Sequence, residues 1–350
     1  MGDVSRALLR LIGLALLGVF VLLATESPTA PRVTTDWSDV RTYREMVARL
    51  RAGEPYHVVI GDELRRRGYS TKEIFHWRTP LLMTTLAAIP DRASHDLLIL
   101  LGIALVVMTD FTLRKYGLLI RVTAVVMQIG AALIVATPVA VVLGEVWAGL
   151  LIGLSLCAAL RQRPLLATGL GMLALFVREL AAPYAVVSAL IAVSRRRWAE
   201  VRLWGMGAIG YAAYYGWHVI QIRAHQLPGD RSAPGWLALG GIAFLSSAIR
   251  AQAWTNSAPI WLISILLVLI VASILDASSP TILRATSAAY LGLFLVAGKP
   301  FDWYWGFLAW PTWAIASGFG LAAIVRDARL AGKCLHRIKY LIALRWSAHA

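Results

Sequence analysis

Apolar runs separated by short polar links set the pattern of this chain. They fall at about 7–25, 96–113, 118–139, 142–160, 165–180, 182–194, 201–222, 258–275, 283–298 and 304–325. A helix needs roughly 20 apolar residues to cross the hydrocarbon of a bilayer. Inside that hydrocarbon each backbone N–H and C=O must pair within its own segment, so the runs predict helices rather than strands. The expectation is an all-α, polytopic integral membrane protein: a single transmembrane domain over 1–350 with about ten transmembrane helices.

Three segments break the rhythm. Residues 80–90 (PLLMTTLAAIP) are too short for a comfortable crossing, and 236–250 would upset the parity if it crossed. In 38–52, Tyr43, Met46, Val47 and Leu50 recur at helical spacing, with Arg41, Arg44, Glu45 and Arg49 on the other face. That pattern predicts an amphipathic juxtamembrane helix lying in the interface. All three segments are expected at the outer face or as re-entrant helices.

Charge orients the runs. Arg114–Lys115, Arg161 and Arg163, Arg195–Arg197 with Arg202, Arg284, and the tail from Arg326 to Lys339 all fall on the side of the N-terminus if every run crosses. Positive residues favour the cytoplasmic side, so both termini are expected there. The first external loop then spans 26–79, a second external loop with an interfacial helix spans 223–257, and 326–350 forms a basic cytoplasmic tail. The many arginines of 26–79 run against this orientation, whereas the short loops agree with one another.

Composition supports the membrane class: 59% hydrophobic and 15% charged residues, with a mean hydropathy of +0.67. The net charge of +15 suits anionic phosphates, and in a bilayer those belong to membrane lipids. No hydrophilic segment apart from the first loop is long enough for a nucleic-acid module, so no nucleic-acid partner is expected. Cys157 and Cys334 lie on segments expected to be far apart, which predicts neither a disulfide nor a metal site. Arg6 and Arg10 before an apolar stretch, with small residues at Ser27–Ala30, allow a signal peptide. An uncleaved first helix fits the long run and the apolar chain that follows.

The chemistry begins with Asp36 and Asp39 at the start of the amphipathic segment. Each can cap the helix, because a short acceptor satisfies free N–H groups at its positive end. A carboxylate held there, beside Trp37 and Tyr43, is equally placed to take a proton from a hydroxyl at the membrane surface.

Asp39–Val–Arg–Thr–Tyr43 followed by Ala48 to Tyr56 resembles the first external loop of the C-type (GT-C) membrane glycosyltransferases. It is most similar to glycosyltransferase family 87, the polyprenyl-phosphate-mannose-dependent mannosyltransferases. The resemblance continues in order through FHWRTP (75–80), LGEVW (143–147) and FVRELAAPY (176–184). Arg78, Glu145 and Arg178–Glu179 depart from the family's usual residues at these points. The resemblance implies inverting transfer of a sugar, mannose or another hexose or pentose, from a polyprenyl-phosphate donor to a lipid or glycan acceptor hydroxyl on the external face. Its motif puts the base at Asp39, with Asp36 as the alternative.

A phosphate leaving group needs fixed positive charge nearby. His76, Arg78, Arg178 and Lys299 are expected on the external side and are the candidates for it. Tyr43, Trp77, Glu145, Glu179, Asp302, Trp303 and Tyr304 are the candidates for sugar contacts. Each has a plainer reading: Arg178 can pair with Glu179 or another helix, Glu145 can cap a helix, and the aromatic-rich 299–313 can form an interfacial belt. No metal and no cofactor are expected beyond the donor substrate. Two other readings stand beside the transferase: a transporter or flippase for a lipid-linked substrate, marked by inverted repeats or broken helices, and a non-catalytic membrane scaffold. An acyltransferase resting on His57 or His76 is a weaker enzyme variant.

Overall fold

Each of the ten apolar runs lies on a helix of its own. The computed structural model describes residues 2–24, 38–233 and 239–347, and among these it contains helices and no strand. The first half comprises α1 (Gly2–Ala24), α2 (Ser38–Arg51), α3 (Tyr56–Arg66), α4 (Pro80–Ala88), α5 (Asp91–Leu113), α6 (Leu118–Ala132), α7 (Gly144–Leu160) and α8 (Pro164–Val177). Then come α9 (Ala182–Ser194), α10 (Trp198–His225), α11 (Gly241–Ile249), α12 (Ala253–Asn256), α13 (Ile260–Leu275), α14 (Thr281–Val296) and α15 (Gly306–Ser347).

Four helical stretches are long and apolar enough to cross a membrane: Val4–Ala24, Asp91–Leu113, Leu118–Ala136 and Phe301–Cys334. Five further apolar helices are shorter, and α10, at 28 residues, is long enough but not apolar enough. α8 has 14 residues and α9 has 13, so each is about 20 Å long, short of a hydrocarbon core of about 30 Å. Helix length and composition together therefore support a membrane class and four spans, not the full set of ten. α4 and α11, at nine residues each, are likewise too short to cross.

α15 is the axis of the bundle. It packs on α1, α6, α7 and α13, and its small residues let backbones approach closely. A Cβ added at Gly320 would overlap the Leu269 carbonyl of α13, and one at Gly318 would overlap the Ile120 carbonyl of α6. The segment 326–347, which the sequence presents as a basic tail, continues this helix.

The aromatic run corrects an expectation. Trp303, Trp305, Trp310 and Trp313 are buried in the core, and Phe301 is the exposed ring of the group. Packing within the bundle, not an interfacial belt, takes up these tryptophans. α2 also differs from a helix lying in the interface. Its apolar face, with Val40, Tyr43, Met46 and Val47 buried, packs on α3 and α4. Arginines of this region are tied to acids: Arg49 to Glu54, Asp62 and Glu63, Arg51 to Asp91, and Arg65 to Asp230.

The basic loops gather at one end. Lys115 Nζ donates to the Leu160 carbonyl, Arg195 donates to Thr281 Oγ1, Arg326 pairs with Asp276, and Arg10 pairs with Asp327. α2, α3, the 67–79 segment, the α8–α9 turn and the turn before α15 assemble at the other end.

Candidate functional site

Three backbone interruptions build the site. After α3 the chain runs through 67–79, anchored where the Thr71 and Lys72 N–H groups donate to the Arg231 carbonyl. Pro80 opens α4 and holds the preceding Thr79 extended, which places Arg78 just outside the helix. α8 stops at Val177, Arg178 is extended at φ −149°, and Pro183 restarts the chain in α9. A 3₁₀ turn at Pro300–Trp305 precedes α15, held by the Lys299 N–H donating to Asp302 Oδ2 at 2.9 Å.

Between these pieces lies a cavity of about 90 Å³, walled by Asp39, Tyr43, Tyr69, His76, Arg78, Arg178, Asp302 and Tyr304, with Phe75, Phe301 and Trp305 as apolar lining. Seven residues singled out from sequence thus share one wall, although they come from four separate stretches of chain.

Their contacts assign different parts. Asp39, in the first turn of α2, accepts a hydrogen bond from the Tyr69 hydroxyl. Burial and the neighbouring Asp39 push that phenol up to about 12, so it stays a donor. Arg78 donates from Nε and Nη2 to the Tyr43 hydroxyl at 2.9 and 2.5 Å, and from Nη2 to the Tyr304 hydroxyl at 3.3 Å. Its guanidinium also stacks 5.3 Å from the Tyr43 ring centroid.

Arg178 is 2% exposed and doubly paired, through Nε to Glu145 Oε1 at 2.7 Å and through Nη1 to Glu179. Its Nη2 is buried and has no hydrogen-bond partner. An unpaired buried donor is costly, more so on a charged group, and this one belongs to a residue of the cavity wall.

Several expectations change at this point. Glu145 and Glu179, read for sugar hydroxyls, are committed to Arg178 and do not line the cavity. His76 does line it, but burial lowers its pKa, so at neutral pH the ring is uncharged. Its Nδ1–H donates to the Ser70 carbonyl at 3.0 Å, which makes it a polar wall group and not a fixed cation. Lys299 stands outside the lining, with Nζ 5.9 Å from the Phe301 ring centroid. Trp77 is core: its indole N–H donates to the Thr71 carbonyl at 2.9 Å and its ring covers Gly61. Trp303 packs edge-on against Tyr304 and Phe307. Asp36 lies outside the described residues.

Tyr69 was not legible as a site residue. It sits in the polar RRRGYS stretch after α3, with no periodicity or motif to single it out, and only the fold brings it against Asp39.

No protein-family model matches this sequence, and no curated protein or solved structure proves similar to it.

Proposed function

We propose that the protein is an inverting glycosyltransferase of the GT-C type that moves a sugar from a polyprenyl-phosphate donor to a lipid or glycan hydroxyl. In this reading Asp39 removes the proton of the acceptor hydroxyl as its oxygen bonds to the anomeric carbon. The bond from that carbon to the phosphate oxygen breaks, and the departing phosphate takes up the negative charge. Arg178 Nη2 and the Arg78 guanidinium stabilise that charge, while the Tyr43 and Tyr304 hydroxyls hold Arg78 in position. The end of the bundle opposite the basic loops faces outward in this proposal, with both termini cytoplasmic in a bacterial-type inner membrane.

One observation carries the proposal: Arg178, whose buried Nη2 has no partner, lines the same cavity as the first-loop Asp39. Glu145 and Glu179 already balance the two arginines, so the phosphate depends on placed donors more than on net positive charge. The cavity, at about 90 Å³, is smaller than the ~300–1,000 Å³ typical of ligand pockets. Donor binding therefore requires the 67–79 segment or the turn before α15 to move aside.

The test is consumption of labelled polyprenyl-phosphate sugars by the protein in lipid nanodiscs, with Asp39→Asn as the control. Transfer by wild type alone supports the proposal; no consumption of any donor by wild type removes it.

One feature favours a second reading. α8 and α9 are short helices that meet at the Arg178–Glu179 break, and broken helices flanking charged residues are a mark of transporters. A transporter exposes Arg178 to both sides of the membrane by turns. The transferase keeps it accessible from one side, and cysteine labelling of Arg178→Cys separates the two.

A further inference from the structure

At the basic end of the bundle lies a second cavity of about 260 Å³, far from Asp39, whose wall includes Lys115, Arg163, Thr168, Arg195, Arg197 and Thr281. Three helices begin at it: α8 after Arg163, α10 after Arg197 and α14 at Thr281. None has a side-chain cap, so three positive helix ends meet at one space.

The side chains add to this. Lys115 is held by the Leu160 carbonyl at 2.8 Å, Arg195 by Thr281 Oγ1 at 2.8 Å, and Arg197 by Glu200 at 3.2 Å. Glu200 is therefore occupied. Arg163 makes no side-chain hydrogen bond or ion pair among the described residues. Most telling is Thr168, one turn into α8, which is 6% exposed and whose hydroxyl has no partner. A helical threonine can bond the carbonyl one turn back; this one, a residue of the cavity wall, has a buried hydroxyl with no partner. The loops flanking the cavity also hold Gln162 at φ 58° and Arg196 at φ 54°, the only non-glycine residues with positive φ among those described. Both are the left-handed turns that close α7 and α9, with Arg163 N–H bonded to the Ala158 carbonyl and Arg197 N–H to the Ala192 carbonyl, and they set where α8 and α10 start.

We infer that this cavity binds a phosphate-bearing anion, either the headgroup of an anionic phospholipid or a free phosphate, independently of the transfer reaction at the opposite end. Helix N-termini supply N–H donors to the phosphate oxygens, Arg163 and Arg195 supply charge, and Thr168 supplies the remaining hydroxyl donor.

The experiment uses the full chain. Native mass spectrometry of protein released from phosphatidylglycerol–phosphatidylcholine nanodiscs counts retained phosphatidylglycerol. A parallel melt in neutral detergent adds inorganic phosphate against chloride at matched ionic strength. Wild type is expected to retain phosphatidylglycerol, to be stabilised by phosphate, or both. Arg163→Gln/Arg195→Gln and, separately, Thr168→Val should reduce that response at least several-fold. Retention of lipid without a phosphate shift identifies a headgroup; a phosphate shift without lipid retention identifies a free anion. Arg163→Gln alone, at an exposed side chain, keeps the test valid if the double variant folds poorly. Equal responses in wild type and all variants, or no response in wild type, overturn the inference.

Discussion

Arg178 and Glu145 lie 33 positions apart in the chain and 2.7 Å apart in space, with 2% and 1% of their side chains exposed. The pair joins the end of α8 to the first turn of α7, where a carboxylate also suits the positive helix end. It fixes the α8–α9 break beneath the cavity, and it leaves one guanidinium nitrogen, Nη2, without a hydrogen-bond partner.

Removing Glu145 leaves the buried Arg178 guanidinium with Glu179 as its remaining ion-pair partner. Glu145→Leu is expected to destabilise the protein by about 1–3 kcal/mol, and Glu145→Leu combined with Arg178→Met should cost less than the sum of the two single changes. Reversible unfolding in mixed micelles measures both. Additive losses in the double variant would contradict the pairing.

Tyr43→Phe keeps the ring but removes the hydroxyl that accepts two donors from Arg78. A largely buried guanidinium then loses its two shortest hydrogen bonds and keeps the Tyr304 hydroxyl at 3.3 Å and Glu145 at 3.9 Å, at a cost of about 1–3 kcal/mol. Transfer should fall by at least tenfold as Arg78 loses its orientation, with the fold intact by circular dichroism. Unchanged transfer would show that Arg78 is not placed by Tyr43.

The close approach of α13 and α15 depends on Gly320. Gly320→Ala should cost at least about 1–3 kcal/mol through overpacking against backbone. Gly13→Ala, whose added Cβ meets nothing within 4 Å, is the neutral comparison. Equal melting temperatures for the two variants would contradict this packing.

His57 gives a pH signature. Burial, and then the neighbouring His218 and His225, lower its pKa to about 4, against 6.5 in the unfolded chain. A depressed pKa means that the folded state holds the ring neutral. Its contribution is complete above pH 6.5 and is lost as pH falls from there toward 4. Melting temperature should therefore decline between pH 6.5 and 5, before most carboxylates titrate, and His57→Asn should flatten that decline.

Periodicity made much of this legible. Apolar runs mark where helices form because hydrocarbon demands internal backbone pairing, and Tyr43, Met46, Val47 and Leu50 read as one apolar face, of which the first three are buried. What covers that face was not legible: protein and lipid are equally apolar, so α3 and α4 could not be told from a bilayer. Short crossings and breaks were also hidden, since α8 and α9 look like two spans until Arg178 appears in extended backbone. At the site, residue type drew attention to Asp39, Arg78 and Arg178. Pairing decided the rest, because a local motif does not disclose that Glu145 belongs to Arg178 or Tyr69 to Asp39.

The most direct test of the account is transfer from labelled polyprenyl-phosphate sugars in nanodiscs by wild type, Asp39→Asn and Asp36→Asn. The account predicts that wild type consumes one donor, that Asp39→Asn binds it but transfers at less than a hundredth of the rate, and that Asp36→Asn remains active. Full activity of Asp39→Asn would contradict its assignment as the base. Failure of wild type to consume any donor would return Asp39 to the plain role of a helix cap.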